Sequence, residues 1–359
     1  MERPTHTDVE IVGVGARTPV GLVADASAAA IRGALSVIRQ HPFFVDKTGE
    51  PMMMACDAVL SPDLDGADRY VELARPAFEQ AVRPLVARQV TLRVLPVIIG
   101  LPEDRPGRPQ ELERLLATDL VRTANSLGLS LQMRTVASGH SAGLMALDEA
   151  VQRIRRGEIE VCLVGGVDSY IQGETLEWLD ENRQLMSAVN RSGFPPGEAA
   201  GFCLVASSSF VRSAGLEALA RVVSVVTTFE ENRIKTDTVC IGEGLTAAIR
   251  GACAPLNPAS GKVEQTWCDM NGERYRSTEY AYALMRAYRL FVRAHVRHPA
   301  DCWGDVGAAS GPLFAGLAAA NWSGGRAHGP RALLWTSSES GYRSAAILRD
   351  ARDAAEYAQ

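Results

Sequence analysis

Hydrophobic and polar positions along this chain keep switching between a period near two and a period near 3.6. Val9, Ile11, Val12 and Val14 run into Gly13 and Gly15, and helix formers rich in Ala follow over 24–35, so the chain opens strand, turn, helix. Leu73, Ala74, Phe78 and Ala81 recur at helical spacing over 68–86, where Pro76 and Pro84 are expected to kink or divide the helix. A mostly apolar run over 92–100 has the length of a buried strand. A helix is predicted over 112–127, and a short strand over 136–139 leads into another helix over 141–156. Leu144, Leu147, Val151 and Ile154 stripe that helix, and Gly157 marks its end. A buried strand follows over 161–164. From 202 the pattern partly restarts, with strands over 202–207, 220–228, 264–268, 332–335 and 345–348 and helices over 245–252, 279–296 and 311–319. Strands alternating with helices predict an α/β protein with a mostly parallel sheet, helices on both faces and right-handed crossovers.

Composition narrows the function classes. With 359 residues, 47% hydrophobic and 22% charged, the chain can bury a large core as two domains or one duplicated unit. A net charge of −5 without a basic, aromatic-interleaved stripe argues against nucleic acid as a partner. Residues 1–6 carry no apolar leader, and the run over 94–101 is about half of what a bilayer span needs, so a cytoplasmic protein without a membrane partner is expected. Seven Cys with no Cys-x-x-Cys pair argue against a disulfide framework and a structural zinc, and neither a metal nor a cofactor is expected.

Four segments in order resemble the β-ketoacyl synthases. Val12 to Gly21 is similar to their opening strand and turn. Val136-Ala137-Ser138-Gly139-His140-Ser141-Ala142-Gly143-Leu144, with the helix and strand up to Asp168, is similar without a gap to their nucleophile helix and following strand. Gly193-Phe194-Pro195-Pro196-Gly197-Glu198-Ala199-Ala200 resembles their Gly-Phe-x-x-Gly-Glu-Gly-Ala element, and Gly304-Asp305-Val306-Gly307-Ala308-Ala309-Ser310-Gly311 their Gly-His-x-x-x-Ala-x-Gly segment. The resemblance implies a thiolase fold, a duplicated α-β-α-β-α five-layer arrangement with halves over 1–205 and 206–359. It also implies a homodimer, with the pocket at the junction of halves and chains.

The catalytic positions depart from that family. The nucleophilic Cys falls on His140, the first catalytic His on Asp269, the second on Asp305, and the preceding Lys on Ala300; the Gly-Phe-Gly-Gly loop becomes Ser338-Glu339-Ser340-Gly341. Imidazole forms no stable thioester, and carboxylates oppose the oxyanion and enolate that condensation develops. The pocket positions are then Ala300, Glu339, Phe194 and Gly341. The expectation is a catalytically degenerate, non-condensing protein of an acyltransferase family, acting as a binding, scaffolding or adaptor protein. An accessory role in bacterial secretion-effector loading is one form of it, and a protein partner or an acyl-carrier or acyl-CoA ligand would be bound.

Other readings of the same residues stay open. Gly139-His140-Ser141-Ala142-Gly143 also fits the Gly-x-Ser-x-Gly elbow of α/β-hydrolases, though no oxyanion Gly-Gly motif precedes it. An acyl-transfer or hydrolytic enzyme would use Ser141, or His140 with its carboxylates, on a thioester or ester; against that, Ser141 reads as a hydrogen-bonding residue at a helix N-terminus. His140, Asp269, Asp305 and Glu339 would serve as an acid-base or divalent-cation cluster, or as a satisfied buried pair in a disused pocket. Arg274 and Arg276 would pair with Glu273 and Glu279, His295 and His298 would share a helix, and Met52-Met53-Met54 would be core or dimer packing.

Overall fold

The computed structural model describes residues 7–233, 236–256, 261–292 and 296–353. β1 (Val9–Arg17) leads to α1 (Ala24–Arg32), a ribbon of β2 (Arg39–Val45) and β3 (Pro51–Met54), and α2 (Gly66–Ala87). Next come β4 (Leu95–Leu101), α3 (Leu112–Ser126), β5 (Leu131–Ala137), α4 (Ala142–Arg155), β6 (Val161–Ser169), α5 (Gly173–Glu181), β7 (Glu198–Ser207) and α6 (Ser208–Ser213). The remainder is β8 (Ala220–Phe229), α7 (Glu243–Cys253), β9 (Gln265–Cys268), α8 (Arg274–Ala287), β10 (Val296–Arg297), α9 (Ala300–Trp303), α10 (Ser310–Ser323), β11 (Arg331–Ser337) and β12 (Tyr342–Asp350).

Ten strands make one sheet in the order β10-β9-β11-β12-β8-β1-β7-β6-β4-β5. Numbered in chain order within each stretch, the five strands of Val9–Ser207 and the five of Ala220–Asp350 both read 3-2-4-5-1 from the outer edge inwards, with matching neighbours paired in the same sense. The restart in the hydrophobic pattern is therefore a repeated topology, joined where Val9–Ile11 of β1 lies against Ala220–Val222 of β8. The sheet is mixed, not mostly parallel: β10/β9, β9/β11, β6/β4 and β4/β5 are parallel, and the other five neighbouring pairs run antiparallel. The cause is local at the β11–β12 corner, where 338–341 is long enough for a turn and too short for a crossover.

Burial sorts the helices into layers. α4 and α10 lie between the halves, α4 on β4 and β6 to one side and β8 to the other, α10 on β7 and β11. α2 and α3 cover the outer face of the first half, and α7 and α8 that of the second, which gives five layers. α10 is apolar nearly all round because it is covered on every side. The two central helices meet at glycines: a Cβ on Gly143 would stand 2.4 Å from Pro312 Cδ, and one on Gly311 2.9 Å from the Leu144 backbone N. Their N-termini are thereby brought side by side.

Three further expectations change. α2 runs unbroken through Pro76 and Pro84. Tyr70, Leu73, Ala74, Phe78, Ala81, Val82 and Leu85 are buried on one face, and at about 1.5–3 kcal/mol for each large side chain they outweigh a cost of about 3 kcal/mol per internal proline. The helix expected over 279–296 is α8, which starts at Arg274 and stops at Ala287. His298 lies beyond β10 and bonds Asp301, so no helix pairs it with His295, which falls outside the described residues. Met52 and Met54 are buried in a small cluster with Tyr170, Leu176 and Phe194. The ribbon β2–β3 and α5 carry no clear periodicity and were not expected.

Candidate functional site

The site forms where the equivalent ends of the two halves meet. β5 is the third strand of its half and leads into α4; β10 is the third of the other and leads through the short α9 to α10. Before α4 the chain makes a tight turn over Gly139–Ser141, with Gly139 at φ +60°. Before α10 it makes another over Gly307–Ala309, with Gly307 at φ +46°. A Cβ on Gly307 would lie 2.0 Å from Asp168 Oδ2, so glycine is demanded by both backbone and space. The first turn carries His140, and Asp305 stands two residues ahead of the second.

His140 and Asp305 face each other, with His140 Nε2 2.8 Å from Oδ1 and 2.9 Å from Oδ2, both side chains buried. Gly307 N donates to Asp305 Oδ1 at 2.8 Å, and Asn271 Nδ2 donates to Oδ2 at 2.6 Å. Burial opposes charge on both members, but each stabilises the other's ionised form. The carboxylate holds the imidazole above its ordinary pKa, and the imidazolium with Arg276 holds Asp305 far below the usual carboxylate range.

Arg276 is the residue that completes the cluster. Its Nη1 donates to Asp269 Oδ2 at 3.0 Å and to the Ser337 carbonyl at 2.7 Å, its Nε to Glu273 Oε2 at 3.3 Å, and its Nη2 lies 3.3 Å from His140 Nε2. Its fixed fork lets one cation serve two carboxylates. Asp269 also accepts from Ser337 N at 2.7 Å, while burial pushes its pKa up against the pull of Arg276. The pairing expected of Arg276 with Glu273 is present; Glu279 instead holds Arg343 at 2.6 Å, and Arg274 is exposed. Arg276, Tyr280, Ala283 and Ala287 make one buried helical stripe, so an arginine on a core face was the signal available in the sequence.

The remaining candidates separate. Glu339 and Phe194 line the cavity beside His140, together with Glu103, Arg105, Tyr170 and Glu273. Ala300 and Gly341 are buried but do not line it: Ala300 opens α9, and Gly341 closes the β11–β12 turn at φ +117°. Ser141 is fully buried. Its Oγ donates to the carbonyls of Thr336 and Tyr342, 3.2 and 3.0 Å away, and its N donates to Ser338 Oγ at 2.8 Å. It holds the N-cap position of α4 without a side-chain capping bond; its hydroxyl instead ties the turn to β11 and β12, which engages the group an acyl acceptor would need.

The cavity measures about 50 Å³, room for a few waters and far below the roughly 300–1,000 Å³ of a small-molecule site. The cations that face these carboxylates are protein groups, Arg276 for Asp269 and Glu273 and His140 for Asp305, so the expected cluster is filled by protein. Elsewhere, donor atoms of Glu230, Cys240 and Glu279 lie within 4.8 Å of one another. There Arg343 and the backbone N–H of Gly244 at the start of α7 already supply the positive charge. No helix of the described residues is long and apolar enough to cross a membrane.

Comparison with known proteins agrees with the topology. Residues 121–210 match the model of the β-ketoacyl synthase N-terminal domain. Over 174 residues, 46% of this chain, it is 32% identical to the pikromycin polyketide synthase component PikAIII of Streptomyces venezuelae and 29% to PikAII, and spans only 11% and 5% of their lengths. Among solved structures, the ishigamide ketosynthase/chain length factor superposes with a TM-score of 0.79 at 17% identity, covering 96% of this chain and all of that one. A type II polyketide synthase acyl-carrier protein in complex with its ketosynthase bound to the hexaketide gives 0.78 at 16%, with the same coverage. The ketosynthase from module 6 of the bacillaene synthase of Bacillus subtilis 168 gives 0.75 at 16%, covering 96% of this chain and 72% of that one. The fold is thus the thiolase fold. Over residues 121–210 the chain is similar to the β-ketoacyl synthase N-terminal domain, and His140 falls inside that segment.

Proposed function

We propose that this chain is a non-condensing ketosynthase-like subunit that serves as the binding partner of an active ketosynthase, in the manner of a chain length factor. One observation carries the reading: the position where the resemblance puts the nucleophilic Cys holds His140, locked against Asp305 and Arg276 beside a cavity of about 50 Å³. A protonated imidazole bonded to a carboxylate offers no lone pair to a thioester. The cavity admits no acyl chain.

Partnership has a structural route. β5 is an outer strand of the sheet, with one side of its backbone ladder unfilled and Leu131, Met133 and Val136 only half-buried, which suits pairing with a second chain. That chain would be a further copy or a ketosynthase, and an acyl-carrier protein would reach the assembly through the active member. Polyketide proteins among the neighbours favour a biosynthetic partner over one in secretion-effector loading.

Two measurements test this. Incubation with acyl-CoA and acyl-carrier thioesters followed by intact mass is expected to leave the mass unchanged, and co-purification from native extract is expected to bring down a ketosynthase in a fixed ratio. A covalent adduct that disappears in Ser141→Ala would replace the proposal with the acyl-transfer reading.

A further inference from the structure

A groove unrelated to the His140 site lies on the outer layer of the second half, between the C-terminal ends of α7 and α8. Its volume is about 530 Å³, within the range of ligand sites. Four cations line it: Arg250, Lys262, Arg286 and Arg289. No carboxylate does among the described residues. This is a local inversion in a chain whose net charge is −5.

Among the described residues, none of these cations forms an ion pair. Arg250 Nη2 donates to the Arg286 carbonyl and Arg286 Nη1 to the Ile241 carbonyl, both at 2.5 Å, while Arg289 Nε donates to Tyr288 Oη at 3.0 Å. All three acceptors are neutral. Cations at helix C-termini also answer the helix dipole, but each terminus is worth about half a negative charge. Two helices therefore balance about one of the four cations and leave roughly three unanswered. The carbonyl contacts hold the Arg250 and Arg286 guanidinium groups in place, so little freedom remains to be lost on binding an anion.

The apolar lining includes the buried Cys253, Leu256 and Ala287, and Tyr288, which also lines the groove, is 60% exposed. A fixed group of arginines matches phosphate oxygens, which accept paired hydrogen bonds from a guanidinium. An apolar lining with an exposed ring matches a flat organic body. We propose that this groove binds a phosphorylated small molecule of nucleotide size, its phosphates on Arg250, Arg286 and Arg289 and its organic part over Leu256 and beside Tyr288.

Calorimetric titration of the full chain with ATP, pyrophosphate and adenosine, without added metal, tests the assignment. ATP and pyrophosphate are expected to bind with a salt-dependent affinity and adenosine to bind far more weakly. Arg250→Ala and Arg289→Ala are each expected to weaken ATP about tenfold, the loss of one charge-assisted contact. Arg286 is left intact because it also secures the Ile241 loop. Lys262→Ala with Arg289→Ala, two exposed positions, keeps the test valid should the Arg250 change disturb the fold. No ATP binding at millimolar concentration, or binding unchanged in variants with native circular dichroism, overturns the proposal. So does binding of an acidic peptide without binding of ATP, which would reassign the groove to a protein partner.

Discussion

Asp305→Asn removes the charge that holds His140 protonated and keeps the side chain's shape. His140 would then face Arg276 Nη2 at 3.3 Å with no carboxylate against it, and one of the Gly307 and Asn271 donors would meet the amide NH2 in place of an acceptor oxygen. Breaking one side of a buried ion pair costs about 3–5 kcal/mol. With an unfolding entropy of about 2.1 cal/mol/K per residue, that corresponds to a fall in Tm of about 4–7 °C for a chain of this length.

The pH profile carries the sign. Folding raises the pKa of His140, so its contribution is whole below the ordinary histidine value and is lost as pH climbs through the folded one. Folding depresses the pKa of Asp305, so its contribution is whole above the ordinary aspartate value and is lost as pH falls through the folded one. The difference between native protein and Asp305→Asn should therefore be greatest between about pH 4 and 6.5 and shrink at pH 9. Urea unfolding followed by circular dichroism at pH 5.5 and 9 reads it. Equal differences at the two pH values, or a difference under about 1 kcal/mol at pH 5.5, would refute an ionic pair and leave ordinary packing.

Restoring a thiol should not restore the reaction: His140→Cys leaves Asp305 without its imidazole, Asp269 in place and the cavity small, so intact mass after incubation with acyl-CoA should show no acyl adduct. Ser141→Ala is expected to cost about 1–3 kcal/mol, measured by urea unfolding, because it withdraws a donor from two buried carbonyls. Gly307→Ala meets Asp168 Oδ2 at 2.0 Å and a backbone at φ +46°, so it should lower Tm by more than Asp305→Asn or leave the protein insoluble. Arg276→Leu should abolish cooperative unfolding at neutral pH by stranding Asp269 and Glu273, and the double variant Arg276→Leu with Asp269→Asn should recover part of the loss.

By itself, the sequence determined the alternation of strands and helices and the motif around His140, and it suggested a partial restart of the pattern from 202. Those properties are local: a hydrophobic period or a short motif is written in neighbouring residues. The direction of strand pairing, the unbroken α2 and the end of α8 were decided by contacts between distant segments. The site divided in the same way. His140 and Asp305 are 165 positions apart and could be matched by resemblance, but the placing of Arg276 between Asp269, Glu273 and His140 depends on how α8 docks. Ala300 and Gly341 read as pocket positions only while their backbone path was unknown, and Ser141 read as a hydrogen-bonding residue at the start of α4 without its acceptors, which β11 and β12 supply. A buried charge needs a partner, and the need is visible in sequence. Which partner answers it is settled only when packing brings the two together.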